Sequence, residues 1–262
     1  MDLELTDKHV LVTGGSRGIG LACARAFLRE GARVTLVGRS AAHMEQALAA
    51  LRSEGGTASG LCADLTDAAA ALQAVDQAEA GGGPIDILVN SAGAARRTPF
   101  AELQPQAWHD AMQAKFFTYV HVMDPLVKRM GARGAGAIVN VVGMGGKVAS
   151  PTHLAGGAAN AALMLASAGL AAAWGPRGVR VNAVNPAQTL TERLAEGLAA
   201  EARLRNTTAD EVLRQAQAKM PLGRLASADD IANAVVFLAS PRASYISGAV
   251  LSMDGAATPM VV

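Results

Sequence analysis

Short apolar runs alternate with longer stretches of helical period from one end of the chain to the other. That alternation predicts parallel strands joined by crossover helices, because each buried strand is covered by a helix before the next strand pairs. Strands are expected at His9 to Thr13, Arg33 to Val37, Ala58 to Cys62, Ile85 to Val89, Ala137 to Val142, Val179 to Val184 and Ala249 to Met253. All seven are nearly unbroken in apolar residues, as strands buried on both faces are. Helices are expected at Ile19 to Glu30, Ala41 to Glu54, Asp67 to Ala80, Gln106 to Met130, Thr152 to Trp174 and Ala228 to Ala239. The fold class is therefore α/β: a Rossmann-type doubly wound, seven-stranded parallel sheet with helices on both faces. Residues 1–262 read as a single domain, with no linker, repeat or low-complexity tail.

One region departs from the alternation. From about 190 to 220 the chain is charged and helical in pattern, and it follows the sixth strand between Pro186 and Pro221. Insertions at the carboxyl ends of such strands cover the ligand crevice, so this segment reads as a substrate lid.

Composition narrows the chemistry. Apolar residues make up 51% of the chain and aromatics 3%, so the core has to be built from Ala, Val, Leu, Ile and Gly. With 23 basic and 22 acidic residues spread along it, the chain has no long-range field to draw a polyanion, which argues against nucleic acid and membrane partners. Cys23 and Cys62 lack metal-ligand spacing, so no metal is expected and both read as reduced thiols of a cytoplasmic protein. Charges precede any apolar run at the N-terminus, which is unlike a signal peptide. Val148 to Pro176 carries no Asp, Glu, Lys or Arg, but it is rich in Ala and Gly, contains His153 and Asn160 and starts near Pro151. It reads as a helix buried between subunits rather than one in a bilayer.

Directly after the first strand stands Thr13-Gly14-Gly15-Ser16-Arg17-Gly18-Ile19-Gly20, and a helix opens at once. In that context glycines let the backbone turn tightly and approach a pyrophosphate, which rests on free N–H groups at the positive end of the helix. This is the phosphate-binding turn of a Rossmann-type domain.

The spacing TGxxxGxG resembles that of the short-chain dehydrogenase/reductase family, and further segments continue the resemblance in order. Asp64-Leu65 matches an acidic position near the adenine. Asn90-Ser91-Ala92-Gly93 resembles the NNAG motif, with Ser for the second Asn. Arg180 to Ala187 resembles the RVNAVxPG segment near the nicotinamide, with Ala187 for Gly and Thr191 at the usual Thr. Asp254-Gly255-Ala256 resembles the terminal DGG. The resemblance implies cofactor contacts at Gly14, Ser16, Arg17, Gly18, Ile19, Gly20, Arg39, Asp64, Leu65, Asn90, Ala92, Gly93, Pro186 and Thr191.

Charge at the end of the second strand selects the dinucleotide. An acid there would bind the 2′-hydroxyl of NAD and repel a 2′-phosphate. Gly38 takes that place and Arg39 follows, with Arg17 in the glycine loop as a second guanidinium. Guanidinium groups bind phosphate in bidentate fashion. NADP(H) is the expected cofactor, with NAD(H) possible.

The family's proton chemistry is missing. Its members carry Ser just past the fifth strand, Tyr thirteen residues on and Lys four beyond, with Asn on the preceding helix. Alignment on Ile138 to Val142 places Gly143 at Ser, Gly156 at Tyr and Asn160 at Lys, while Lys115 stands at Asn. No YxxxK occurs, since Met123 and Ala249 follow the two tyrosines at that spacing. Lys115 and Asn160 have in effect exchanged types, and His153 lies one turn before the gap at Gly156, so Lys115, His153 and Asn160 are the candidates for handling the proton.

Two readings stay open. One is an NADP(H)-dependent oxidoreductase of the family type acting on a carbonyl or alcohol through a non-standard active site. The other is an NADP(H)-binding pseudoenzyme, either a silent partner subunit or a sensor of redox state. Arg96 and Arg97, after the fourth strand, suggest an anionic small-molecule substrate. The charge-free helix suggests a homodimer or homotetramer.

Overall fold

The computed structural model describes residues 1–260 apart from 94, 99, 193, 196, 197, 200, 201, 203 and 204. Seven strands form one parallel sheet: β1 (His9–Thr13), β2 (Arg33–Gly38), β3 (Ala58–Cys62), β4 (Ile87–Asn90), β5 (Gly136–Val141), β6 (Val179–Pro186) and β9 (Val250–Met253). Their order is β3-β2-β1-β4-β5-β6-β9. The chain winds outward from β1 to β3, returns to β4 beside β1, and winds outward again. A ligand crevice is expected where the two halves diverge, beyond the carboxyl ends of β1 and β4.

Helices α1 (Gly18–Arg29), α2 (Ala41–Ser53), α3 (Ala68–Gly82), α5 (Thr118–Arg133), α6 (Leu154–Trp174) and α8 (Ala228–Ala239) cover the two faces. Each face has its own core. Phe27, Leu36, Leu51, Val139 and Val235 lie in one, and Leu11, Leu88, Tyr119, Leu126, Ile138 and Leu163 in the other. Small side chains let the helices approach: Ala155, Gly156, Gly157, Ala159, Ser167 and Ala171 of α6 are all buried.

Burial on both faces holds for the five inner strands and fails at the two edges. β3 has no fully buried residue, and Leu251 and Ser252 of β9 are exposed. An edge strand lacks a neighbour on one side, and its apolar composition does not reveal this.

The expected helix from Gln106 to Met130 is three consecutive segments: α4 (Pro105–Ala111), a π-helical stretch (Met112–Phe117) and α5. Gly93 explains the change of period. It has φ +85, and a Cβ there would collide with the Ala114 carbonyl oxygen, so the loop after β4 presses on the helix backbone. The Thr118 hydroxyl lies 3.2 Å from both the Gln113 and Ala114 carbonyls and bonds within the widened turn.

The 190–220 segment is partly outside the described residues. Its described part includes α7 (Ala209–Ala218), capped by Thr208, whose hydroxyl accepts the Glu211 amide at 3.2 Å. Leu198, Ala202 and Val212 form a small core of their own. A two-stranded parallel pair, β7 (Thr189–Leu190) with β8 (Ala226–Ser227), ties the start of the segment to its end.

Candidate functional site

The loop after β1 is shaped by close approach. Gly14 has φ +66, and a Cβ on it would come within 2.8 Å of the Ala92 backbone, where the loop after β4 passes. A Cβ on Gly20 would collide with the Gly14 carbonyl oxygen. Helix α1 opens here with Arg17 at its cap position, no side-chain cap bond and no acid in its first turn. Its leading amides therefore face the loop without a side-chain acceptor, as an anion site at a helix end requires. These features fit a dinucleotide pyrophosphate.

At the end of β2, a Cβ on Gly38 would lie 3.2 Å from the Ser16 hydroxyl. Arg39 is exposed, and its charge helps to hold the Asp64 carboxyl below its ordinary range, although the larger cause is Thr66, whose amide and hydroxyl donate to Asp64 at 3.0 and 2.8 Å. Ser16, Arg39 and Asp64 thus gather at one end of the crevice. Leu65 turns its side chain into the core, and its carbonyl meets the His121 ring at 3.0 Å. Arg17 pairs with Glu192 at 3.6 Å on the surface, and Thr191 brings its methyl group 3.5 Å from where a Cβ of Gly18 would be. The start of the 190–220 segment therefore reaches the glycine loop.

Asn90 is fully buried. Its side chain accepts from the Thr13 hydroxyl at 3.1 Å and donates to Asn140 at 3.0 Å, and Asn140 donates to Ser167 at 2.9 Å. The Thr13 oxygen also accepts the amides of Ser91 and Ala92 at 3.2 and 3.3 Å. This chain of polar groups locks the ends of β1, β4 and β5 together and sets the loop that carries Ala92 and Gly93. Pro186 ends β6 with its carbonyl oxygen 3.9 Å from a Cβ placed on Gly143.

Lys115 does not reach solvent. It is 7% exposed, and its Nζ donates to the Tyr119 hydroxyl at 2.7 Å and to the Val141 carbonyl at 3.0 Å. Tyr119 donates to the same carbonyl at 2.5 Å. Asn160 is buried on α6, its amide nitrogen 3.3 Å from a Cβ on Gly143 and 3.5 Å from one on Gly145. His153 has its ring against Gly145 and Gly156. Burial, then the charges of Arg97 and Lys115, push its pKa below the ordinary histidine value. The Arg97 guanidinium lies 3.5 Å from the Thr152 hydroxyl, while Arg96 is exposed on the rim.

Tyr119, Thr13, Asn140 and Gly145 belong to this site and were not among the expected residues. A search for Tyr four residues before Lys passes over Lys115 standing four before Tyr119. That spacing puts both side chains on one helical face, which is the signal that reveals the pair.

A family model described as enoyl-(acyl carrier protein) reductase matches residues 14–258. D-threitol dehydrogenase of Mycolicibacterium smegmatis is 40% identical over 258 residues, covering 98% of this chain and 95% of that protein. Gluconate 5-dehydrogenase of Gluconobacter oxydans is 34% identical over 255 residues, covering 97% and 96%. Among solved structures, L-sorbose reductase from Gluconobacter frateurii, complexed with NADPH and L-sorbose, superposes with a TM-score of 0.92 at 29% identity over 97% of this chain and 98% of that one. Ordered motifs, sheet order and near-full-length relatives agree: the chain belongs to the short-chain dehydrogenase/reductase family.

Proposed function

We propose that the protein is an NADP(H)-dependent oxidoreductase that interconverts an alcohol and a carbonyl in an active site without the family's Ser, Tyr and Lys. The uncapped start of α1 beside a β2 end that bears Gly38 and Arg39 in place of a carboxylate supports the cofactor, and near-full-length relatives that are dehydrogenases and a reductase carry the oxidoreductase part. The dinucleotide, when bound, supplies or accepts the hydride. Backbone groups from Gly14 to Gly20, with the Ser16 hydroxyl, would hold its phosphates, and Arg39 with Arg17 its 2′-phosphate. Asp64 and Leu65 would border the adenine, Asn90, Ala92 and Gly93 the ribose, and Pro186 and Thr191 the nicotinamide. NAD(H) is the weaker alternative. Asn160, its amide near Gly143 and Gly145, would hydrogen-bond the reacting oxygen.

The relatives named above act on a polyol, a sugar acid and a ketose, so the substrate class proposed is a small polyhydroxylated alcohol or ketone. Arg96 and Arg97 favour a member that carries a carboxylate. We also assign the chain to the cytoplasm as a homo-oligomer, on its free thiols and the exposed apolar side of α6.

The test is turnover. D-threitol, gluconate and galactitol with NADP⁺, and L-sorbose with NADPH, are assayed by nicotinamide absorbance. Turnover of any of them supports the reading. Tight NADPH binding with no turnover of the whole panel favours the pseudoenzyme reading instead, which the glycines at 143 and 156 make specific.

A further inference from the structure

The oxidoreductase reading leaves the proton unassigned, and a role for His153 in moving it rests on that reading. Among the described residues, one buried side-chain polar atom has no hydrogen-bond partner: Nδ1 of His153. Native proteins leave few such atoms, and each one calls for a reason. His153 precedes α6 at its cap position but makes no side-chain cap bond, so the ring is not spent on closing the helix.

Two glycines make its seat. A Cβ on Gly145 would lie 2.9 Å from the ring Cδ2, and one on Gly156 would collide with Cε1 and stand 2.7 Å from Nε2. Ala95, from the loop after β4, closes the same place, its Cβ 2.8 Å from the Cβ that Gly156 lacks. Glycine is disfavoured inside a helix, so Gly156 carries a cost that the imidazole's position explains.

The charged groups that act on the ring come from two elements. Arg97 lies in the loop after β4, and Lys115 in the π-helical segment, anchored by Tyr119 and the Val141 carbonyl. Lys147, on the turn after β5, is directed elsewhere, to the Val250 carbonyl at 3.4 Å and the Ser252 hydroxyl at 3.2 Å. A half-buried imidazole beside these two cations is held neutral, and with the buried Nδ1 carrying the N–H, Nε2 is the nitrogen that can accept.

We propose that His153, seated between Gly145 and Gly156, exchanges the substrate's hydroxyl proton through Nε2. In oxidation the alcohol O–H bond breaks and its proton passes to the imidazole. The C–H bond breaks with its electron pair, which leaves as hydride to the oxidised dinucleotide, and the C=O bond forms. In reduction the imidazolium returns the proton to the oxygen.

Nuclear magnetic resonance of ¹⁵N-labelled protein with NADPH bound, together with the substrate panel above, tests the assignment. The His153 ring should titrate below pH 6.5 and move upward in Lys115→Gln. His153→Gln keeps the ring's approximate volume without its basicity. It should retain NADPH affinity and KM within a few-fold, lose about a hundredfold or more in kcat, and flatten the acid limb of the pH profile. Gly156→Ala should displace the ring and lower kcat. A ring that titrates at the ordinary histidine value in both parent and Lys115→Gln overturns the proposal. So does parental kcat in a folded His153→Gln. If the parent turns over no panel member, the oxidoreductase reading fails on its own, and the titration alone decides whether His153 has the environment assigned to it.

Discussion

Lys115 and Tyr119 form a buried ammonium–phenol pair on one carbonyl, and their stability effect can be separated from function. Tyr119→Phe deletes a donor to the Val141 carbonyl and an acceptor for Lys115 while preserving volume. It should cost about 1–3 kcal/mol in urea unfolding, because Lys115 and the Val141 carbonyl keep their bond to each other but both lose the buried hydroxyl between them. His153 adds a pH signature. Its pKa is lowered in the fold, so below pH 6.5 the unfolded chain binds its proton first, and stability is lost as pH falls from there through the folded value. The parent should therefore lose more stability than His153→Gln between pH 7.5 and 5.5. Equal losses would show that the ring is not desolvated.

At this scale the sequence revealed which residues converge better than what each one touches. The glycines of the turn after β1 are legible because a tight turn with close backbone approach dictates their type and spacing. The role of Asn90 as a bridge to Asn140, and of Lys115 as a buried anchor, depends on which strand ends meet. No local pattern encodes those contacts.

Elements were legible where periodicity decides them. All seven expected strands and six expected helical spans occur, with ends shifted by a few residues where caps and loops take over. The π-helical stretch was not legible, because it arises from the Gly93 loop pressing on Ala114, a contact across sequence. The β7–β8 pair was too short to have a period. One cap spans elements. Arg180 of β6 donates to the carbonyls of Leu238, Ala239, Ser240 and Ile246 at 2.7, 2.9, 3.0 and 3.2 Å, closing the end of α8 with a cation where the helix dipole favours one. Arg180→Met should destabilise the fold by roughly 3 kcal/mol in chemical denaturation. A change within error would mean that solvent replaces those bonds freely.

In the whole molecule, the sheet with its two cores leaves one apolar face unpaired. Leu165, in the middle of α6, is 78% exposed, and Ala158, Ala161, Gly169 and Ala172 are exposed around it. Contact with a second copy would cover this charge-free side. Light scattering should give two or four times the 26.6 kDa chain mass, and Leu165→Glu should lower it; a monomeric parent removes the proposal. Cofactor selection by Arg39, on which the functional reading depends, is tested most directly by calorimetric titration of NADPH and NADH into the parent and into Arg39→Ala. NADPH should bind the parent at least about tenfold more tightly than NADH, since a bidentate phosphate contact contributes on the order of 1.5 to 3 kcal/mol, and Arg39→Ala should erase most of that difference. Equal affinities for the two dinucleotides, or no binding of either, would contradict it.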